Sequence, residues 1–309
     1  MKEMKMNRIN SSSLFHFTKN LDILKKIIVN GLRYSFAYEV FPKEVVLSHV
    51  CPSLNMSDIK NDSGKSSGVA IPMISFCDIP ITRASQHIEK YGQYMIGLDK
   101  INFAKAFENL INPVIYVHSP NLSDAITRFG LEYAKASNEL FETLTTKKFQ
   151  NEYGGKLPQE LLKNKEFIAK IDSFVQTRFL SNFLMGLVKP IENEGHYYYD
   201  EREWRLFLPE NTNDNSSWVW DITKEDYEQN RNVWNENLED SENMFIKIPY
   251  ECYNEYITHI VVSREEEIDS LIDLIMTSNK IFGYENIMDY SRMNLISKIT
   301  SFERIEKDF

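Results

Sequence analysis

Three short segments carry side chains able to do chemistry: LFHFT at residues 14–18, ISFCDIP at residues 74–80 and DEREWR at residues 200–205. If residues 201–208 are extended, Trp204, Leu206 and Leu208 share one face of a strand, and Glu201, Glu203, Arg205 and Phe207 share the other. Two carboxylates two residues apart repel when both are ionised, and Arg205 beside them holds Glu203 charged by pairing with it. A fixed carboxylate of this kind can stabilise the oxocarbenium-like cation formed when a glycosidic bond breaks, while gripping a ribose hydroxyl. A surface strand carrying a ladder of opposite charges is the competing reading.

LFHFT divides in the same way, with Phe15 and Phe17 on one face and Leu14, His16 and Thr18 on the other. Asn20 can cap a following helix whose Leu21, Leu24, Ile27 and Ile28 form an apolar stripe, and Gly31 supplies the stop. A strand ending beside a helix N-terminus offers unpaired N–H groups to an anion, so His16 and Thr18 could line a phosphate- or ribose-binding notch. A buried histidine bonded to backbone remains the alternative. In ISFCDIP, Ser75 and Cys77 alternate with Ile74 and Phe76. No companion histidine pattern marks Cys77 as a nucleophile, and a small buried side chain accounts for it. The GKS at residues 64–66 lacks the glycine a phosphate loop needs five positions earlier, where Ile59 stands, so a surface loop is expected there.

The elements that must position these residues read as follows. Residues 33–70 look irregular. PMISFCDIP, QYMIGL, NPVIYVH, HYYYDEREWRLFLP, MFIKIP and YITHIVVS read as strands, and a helical stretch containing His87 lies between the first two. Residues 121–190 change to long helical patterns. Ser263 and Glu266 make a capping box before Ile268, Leu271, Ile272 and Ile275 at helical spacing. Strands on both sides of a helical block predict an α+β fold with a mixed or largely antiparallel sheet. We expect one domain over residues 1–309, with its sheet core from 10–118 and 195–265, a helical insertion at 121–190 and a C-terminal helical segment at 263–309.

Composition narrows the function classes. A chain of 309 residues that is 42% hydrophobic can bury a substantial core, which argues against disorder. A net charge of −10 argues against a broad basic face for duplex nucleic acid, although a local basic groove is compatible with it. Cys51, Cys77 and Cys252 are an odd number without metal-ligand spacing, which suits a reducing compartment and predicts no metal. No signal-peptide or membrane-spanning run is visible, so a soluble cytoplasmic protein is expected.

Taken in order, HFTKNLDILKKIIVNGL, PMISFCDIP, HIEKYGQYMIGLDK (87–100), NPVIY and DEREWR resemble the AbiGi-like abortive phage resistance family of bacteria, described as the antitoxin of an abortive-infection pair. The likeness spans roughly residues 14–262, and SFCDIP and EREWR are its more specific parts. HFTxNLxxILxxxxxxGL is also similar to the opening of the DarT-like DNA ADP-ribosyltransferases. That resemblance implies an ADP-ribosyltransferase-like sheet core and NAD as substrate. It makes His16 a ribose-binding residue, puts Ser75 on the second core strand and, with Glu201 and Glu203 forming the ExE, makes Glu203 the catalytic carboxylate. Tyr94, Tyr91, Tyr34 and Phe76 are candidates to lie against nicotinamide, and Arg33 or Arg83 to clamp the pyrophosphate. The helical block lies outside the minimal transferase core.

Three function classes follow. The first is an ADP-ribosyltransferase or NAD glycohydrolase acting in phage defence, with nucleic acid entering only as an acceptor. The second is a non-catalytic antitoxin that restrains a partner toxin, for which the acidic balance and the helical block suit protein binding. The third is a nuclease or nucleic-acid sensor, with His196 and Tyr197, Tyr198 and Tyr199 as a stacking platform. A strand-edge aromatic cluster packed against the helical block is the favoured explanation of those tyrosines.

Overall fold

The computed structural model describes residues 11–43, 46, 66–107, 110–118, 165–193, 196–208, 218–239 and 244–308. In chain order the strands are β1 (Ser13–Thr18), β2 (Leu32–Arg33), β3 (Ser35–Pro42), β4 (Ser66–Cys77), β5 (Tyr94–Asp99), β6 (Ile111–Pro113), β7 (Ile115–Val117), β8 (Val188–Pro190), β9 (Glu192–Asn193), β10 (His196–Tyr197), β11 (Glu203–Phe207), β12 (Val219–Ile222), β13 (Phe245–Ile246), β14 (Ile257–Val262), β15 (Lys280–Ile281), β16 (Tyr284–Glu285) and β17 (Ile299–Ser301). The longer helices are α1 (Leu21–Asn30), α2 (Ser85–Tyr91), α3 (Lys100–Ala106), α4 (Lys165–Leu187), α5 (Lys224–Glu239), α6 (Ile268–Thr277), α7 (Asp289–Ile296) and α8 (Phe302–Asp308).

The fold is α+β, built on one nine-stranded sheet. Its main path runs β17-β14-β5-β1-β4-β11-β6, and β3 and β12 also pair with β4. The pairings are antiparallel except for β14 with β17, so the sheet is mixed. Both faces are covered. On one face Leu14, Ile74, Phe76, Ile96, Leu98 and Leu206 pack with Leu24, Ile27 and Ile28 of α1. On the other, Phe15, Cys77, Met95 and Val261 meet Ala84, Ile88 of α2 and Phe302 of α8, and farther along Met73 and Phe207 meet Met185 and Leu187 near the end of α4.

Local chemistry sets the ends of the helices that frame β1. The Asn20 side chain accepts from Ile23 N at 3.0 Å, as the sequence predicts for an N-cap. Gly31 ends α1 at φ +99°, where an added Cβ would stand 2.3 Å from the Ile246 carbonyl oxygen. Gly92 ends α2 at φ +107°, and a Cβ there would stand 2.1 Å from the carbonyl oxygen of Thr18. Only a residue without a side chain lets α2 close onto the end of β1 at this distance.

Several expectations need correction. Residues 33–70 are not wholly irregular: β3 pairs with β4 over eight residue pairs from Ser35↔Met73 to Pro42↔Ser66, so β4 starts well before PMISF. DEREWR is not one strand. Tyr198–Glu201 form a 3-10 turn and Arg202 takes a left-handed conformation at φ +44°, so extension begins at Glu203. NPVIYVH breaks into β6 and β7, which belong to different sheets. The predicted capping box shifts by one residue, because Glu267 rather than Glu266 accepts from Arg264 N at 2.9 Å, while Ser263 Oγ donates to Gln93. The C-terminal segment is not purely helical, since β17 extends the main sheet. Within 121–190 the described part is α4 and β8; residues 119–164 lie outside the described residues.

Helix α5 went unpredicted. Its sequence is largely polar; Tyr227 and Trp234 meet β3, where the Tyr227 hydroxyl donates to the Phe36 carbonyl at 2.7 Å, and Leu238 is buried in the core.

Candidate functional site

The strands carrying the three chemical segments are neighbours in the order β1-β4-β11. Their registers decide which side chains share a face. Glu203 lies opposite Cys77 and Arg205 opposite Ser75, so these four point to the same side. β1 joins β4 through a single pair, Phe15↔Cys77. Phe15 therefore shares the side of Glu203, and His16, one residue on, belongs to the opposite side, where its ring stands 5.8 Å from that of Phe76. His16 still touches Ser75, because its Nδ1 is 2.9 Å from the Ser75 carbonyl oxygen.

On the Glu203 side a charge network has formed. Glu203 Oε1 accepts from Ser75 Oγ at 2.7 Å and Arg205 Nε at 2.9 Å; Oε2 accepts from Lys189 Nζ at 3.0 Å and Arg205 at 3.1 Å. Arg205 is fully buried and also donates to Glu39 at 2.6 Å and to the Gly186 carbonyl at 3.0 Å. Glu201, although on the 3-10 turn rather than the strand, is drawn to the same cation: its Oε2 accepts from Lys189 at 3.1 Å and its Oε1 from Lys90 at 2.6 Å and Tyr91 at 2.8 Å. The Tyr116 hydroxyl receives the Glu203 backbone N–H at 2.8 Å. The face that the surface-strand reading exposes is thus a buried ionic layer, and its charges persist because each has several partners.

Burial alone would raise the Glu203 pKa, but Arg205 and Lys189 outweigh it and hold the carboxyl at about 2. Burial pushes down the Lys189 pKa, and the surrounding carboxylates, Glu203 first, reverse that so the ammonium is retained. Cys77 is pushed up by burial and then by the Glu203 and Glu201 charges, which keeps it a thiol and speaks against a nucleophilic role. His16 is lowered by burial, partly offset by its bond to Ser75, so it is neutral at physiological pH.

The remaining candidates lie elsewhere. Thr18 is buried and its hydroxyl turns back to the Asn20 carbonyl at 3.4 Å. Tyr94 pairs with Thr18 across β5 and β1, and its hydroxyl donates to Glu267 at 2.7 Å, away from the Glu203 layer. Arg33 sits on β2, paired with Phe245 of a separate two-stranded sheet. Of the four aromatic candidates, Tyr91 is the one bonded to the layer. Tyr197 and Tyr199 are exposed, while Lys189 lies 4.3 Å from the ring centre of Tyr198. Sequence reasoning missed Lys189, Lys90, Tyr116 and Glu39, each supplied by an element distant in the chain and without a local motif. Among the described residues, no group of three or more His, Cys, Asp or Glu is placed to hold a metal ion. Nor is any described helix long and apolar enough to cross a membrane.

No curated protein and no solved structure matches the chain. A family model does match, over residues 47–251, a span that begins after β1 and contains Ser75, Lys189, Glu201, Glu203 and Arg205. It leaves His16, Thr18 and Arg33 outside. With that span covering two thirds of the chain and the ionic layer except Glu39, the chain belongs to the abortive phage resistance family described as "Putative abortive phage resistance protein AbiGi, antitoxin".

Proposed function

We propose that this phage-resistance protein carries an ADP-ribosyltransferase-like NAD site at the junction of β1, β4 and β11. The observation that supports the reading is the convergence on Ser75: its hydroxyl donates to Glu203 at 2.7 Å and its carbonyl meets His16 Nδ1 at 2.9 Å. β1 and β4 share one residue pair, so the ladder between them beside Ser75 is short, and the reading places NAD on the Glu203 side of this junction. Glu203 remains ionised, as stabilising an oxocarbenium-like ribosyl cation requires. Both of its oxygens already have partners, so a ribose hydroxyl must displace Ser75 Oγ or Lys189 Nζ. In this reading Glu203 is the catalytic carboxylate, Glu201 orients it through Lys189, and Ser75 holds the ribose side of NAD, with His16 positioning Ser75 through its carbonyl from the other face. Thr18, whose hydroxyl turns back to Asn20, Tyr94, which donates to Glu267, and Arg33, on a separate two-stranded sheet, have no part in it. The test is nicotinamide release from NAD by the purified protein and by Glu203→Gln, with the melting temperature of each recorded. Release lost in a folded variant supports the reading; equal release from both sinks it.

A second reading, favoured by the family description, is a non-catalytic antitoxin that binds a partner toxin. It accounts for the Glu203 layer as structure alone. Coexpression with the toxin gene of the same pair separates the two: relief of toxicity by folded Glu203→Gln supports the antitoxin, and toxicity of the gene expressed alone removes it.

A further inference from the structure

His87 stands on the Glu203 side of the sheet and takes no part in the charge network around Glu203. Its ring lies 6.0 Å from Phe17 and 6.1 Å from Tyr91, and the residue is only 7% exposed. His87 and Tyr91 are one turn apart on α2, hence on the same helix face. That face meets Glu201, because the Tyr91 hydroxyl donates to Glu201 at 2.8 Å. Glu201 also acts on the imidazole through both its charge and its main chain, with Lys90 and Asp200 as the other charged groups in reach. Yet His87 Nε2 is wholly buried and has no hydrogen-bond partner, unlike the other buried side-chain nitrogens and oxygens among the described residues. A buried imidazole nitrogen without a partner is costly, and such an exception calls for a group that completes it or a role that repays it.

We infer that His87 is a ligand-binding residue of this site, its Nε2 forming a hydrogen bond with a hydroxyl of the sugar that Glu203 engages. The inference rests on the NAD reading above and adds to it a second histidine, on the face of the sheet opposite to His16. In the neutral ring one nitrogen accepts and the other donates, so either partner of a ribose diol suits it. The site then has a division of labour: Glu203 carries charge from β11, and His87 fixes orientation from α2.

The test compares wild type with His87→Phe and His87→Gln by calorimetric titration with NAD and by thermal melting. Phe keeps the ring and removes the orphaned nitrogen; Gln returns a polar group near the Nε2 position. The expected result is a His87→Phe melting temperature no lower than wild type, with NAD binding weaker by about tenfold or more, the loss of roughly one hydrogen bond. His87→Gln recovers most of that binding. Unchanged affinity in His87→Phe overturns the inference and leaves the NAD reading standing. A lowered melting temperature with equal loss of binding in both variants overturns it too, in favour of a packing role. Absence of NAD binding by the wild type removes both.

Discussion

His16 and Glu203 reach Ser75 from opposite faces of one sheet. His16 Nδ1 meets the carbonyl of Ser75 at 2.9 Å, and Glu203 Oε1 takes the hydroxyl of the same residue at 2.7 Å. The backbone of β4 stands between them, so any coupling of the histidine to the carboxylate runs through the position of Ser75. Ser75→Ala removes the hydroxyl and leaves the carbonyl in place. It should cost about 1.5–3 kcal/mol, the range for a hydrogen bond to a charged group, read by urea unfolding. A cost near zero means that the hydroxyl and the carboxylate do not hold each other.

Arg205→Met tests the ionic layer as a unit. The guanidinium has 0% side-chain exposure and bridges Glu203 and Glu39, so its loss leaves two poorly compensated carboxylates indoors. Destabilisation of about 3–5 kcal/mol is expected. Glu203→Gln, which removes one charge but keeps a hydrogen-bonding group, should cost less, and the reverse order would refute this account of the layer.

Acid should weaken the protein in two windows. His16 and His87 titrate below their ordinary 6.5 in the folded state because burial disfavours the cation. The unfolded chain takes up those protons first, so their contribution is complete above pH 6.5 and declines as pH falls through that value toward the folded pKa. Glu203, held at about 2 against an ordinary 4.5, contributes fully above 4.5 and loses that contribution as pH falls from 4.5 toward 2. Unfolding midpoints measured across this range should drop in both windows. His87→Phe should shrink the first drop and leave the second; a profile identical to wild type counts against a buried neutral His87.

Gly92→Ala probes the junction of α2 with β1. With φ at +107° and the new Cβ 2.1 Å from the Thr18 carbonyl oxygen, strain of about 1–3 kcal/mol is expected on top of the clash. Thermal melting reads it. A melting temperature equal to wild type would show that α2 is free to move away from β1, which also bears on His87.

Much of this was legible in the sequence. Alternation gave the split faces of LFHFT, ISFCDIP and the EWRLF part of β11, and Asn20 and Gly31 marked the ends of α1 because capping depends on neighbours along the chain. The 3-10 turn before Glu203 was hidden, since YYDER contains no glycine or proline and the left-handed Arg202 is held by its surroundings. Strand β3 was missed because SFAYEVFP lacks strict alternation, and helix α5 because its apolar side chains are few; the two meet through Phe36 against Trp234.

By itself, then, the sequence determined which residues are polar on otherwise apolar strands, and that an α+β fold would follow. Period-two alternation is a property of one strand at a time. Only the tertiary structure decided that Ser75, Glu203 and Arg205 share a face while His16 takes the other, because that depends on the register between strands. It also brought Lys189, Tyr91 and Glu39 from distant elements to the carboxylates of β11 and the turn before it. Long-range pairing of charges follows from where backbones pass one another in space, and no local spacing encodes it.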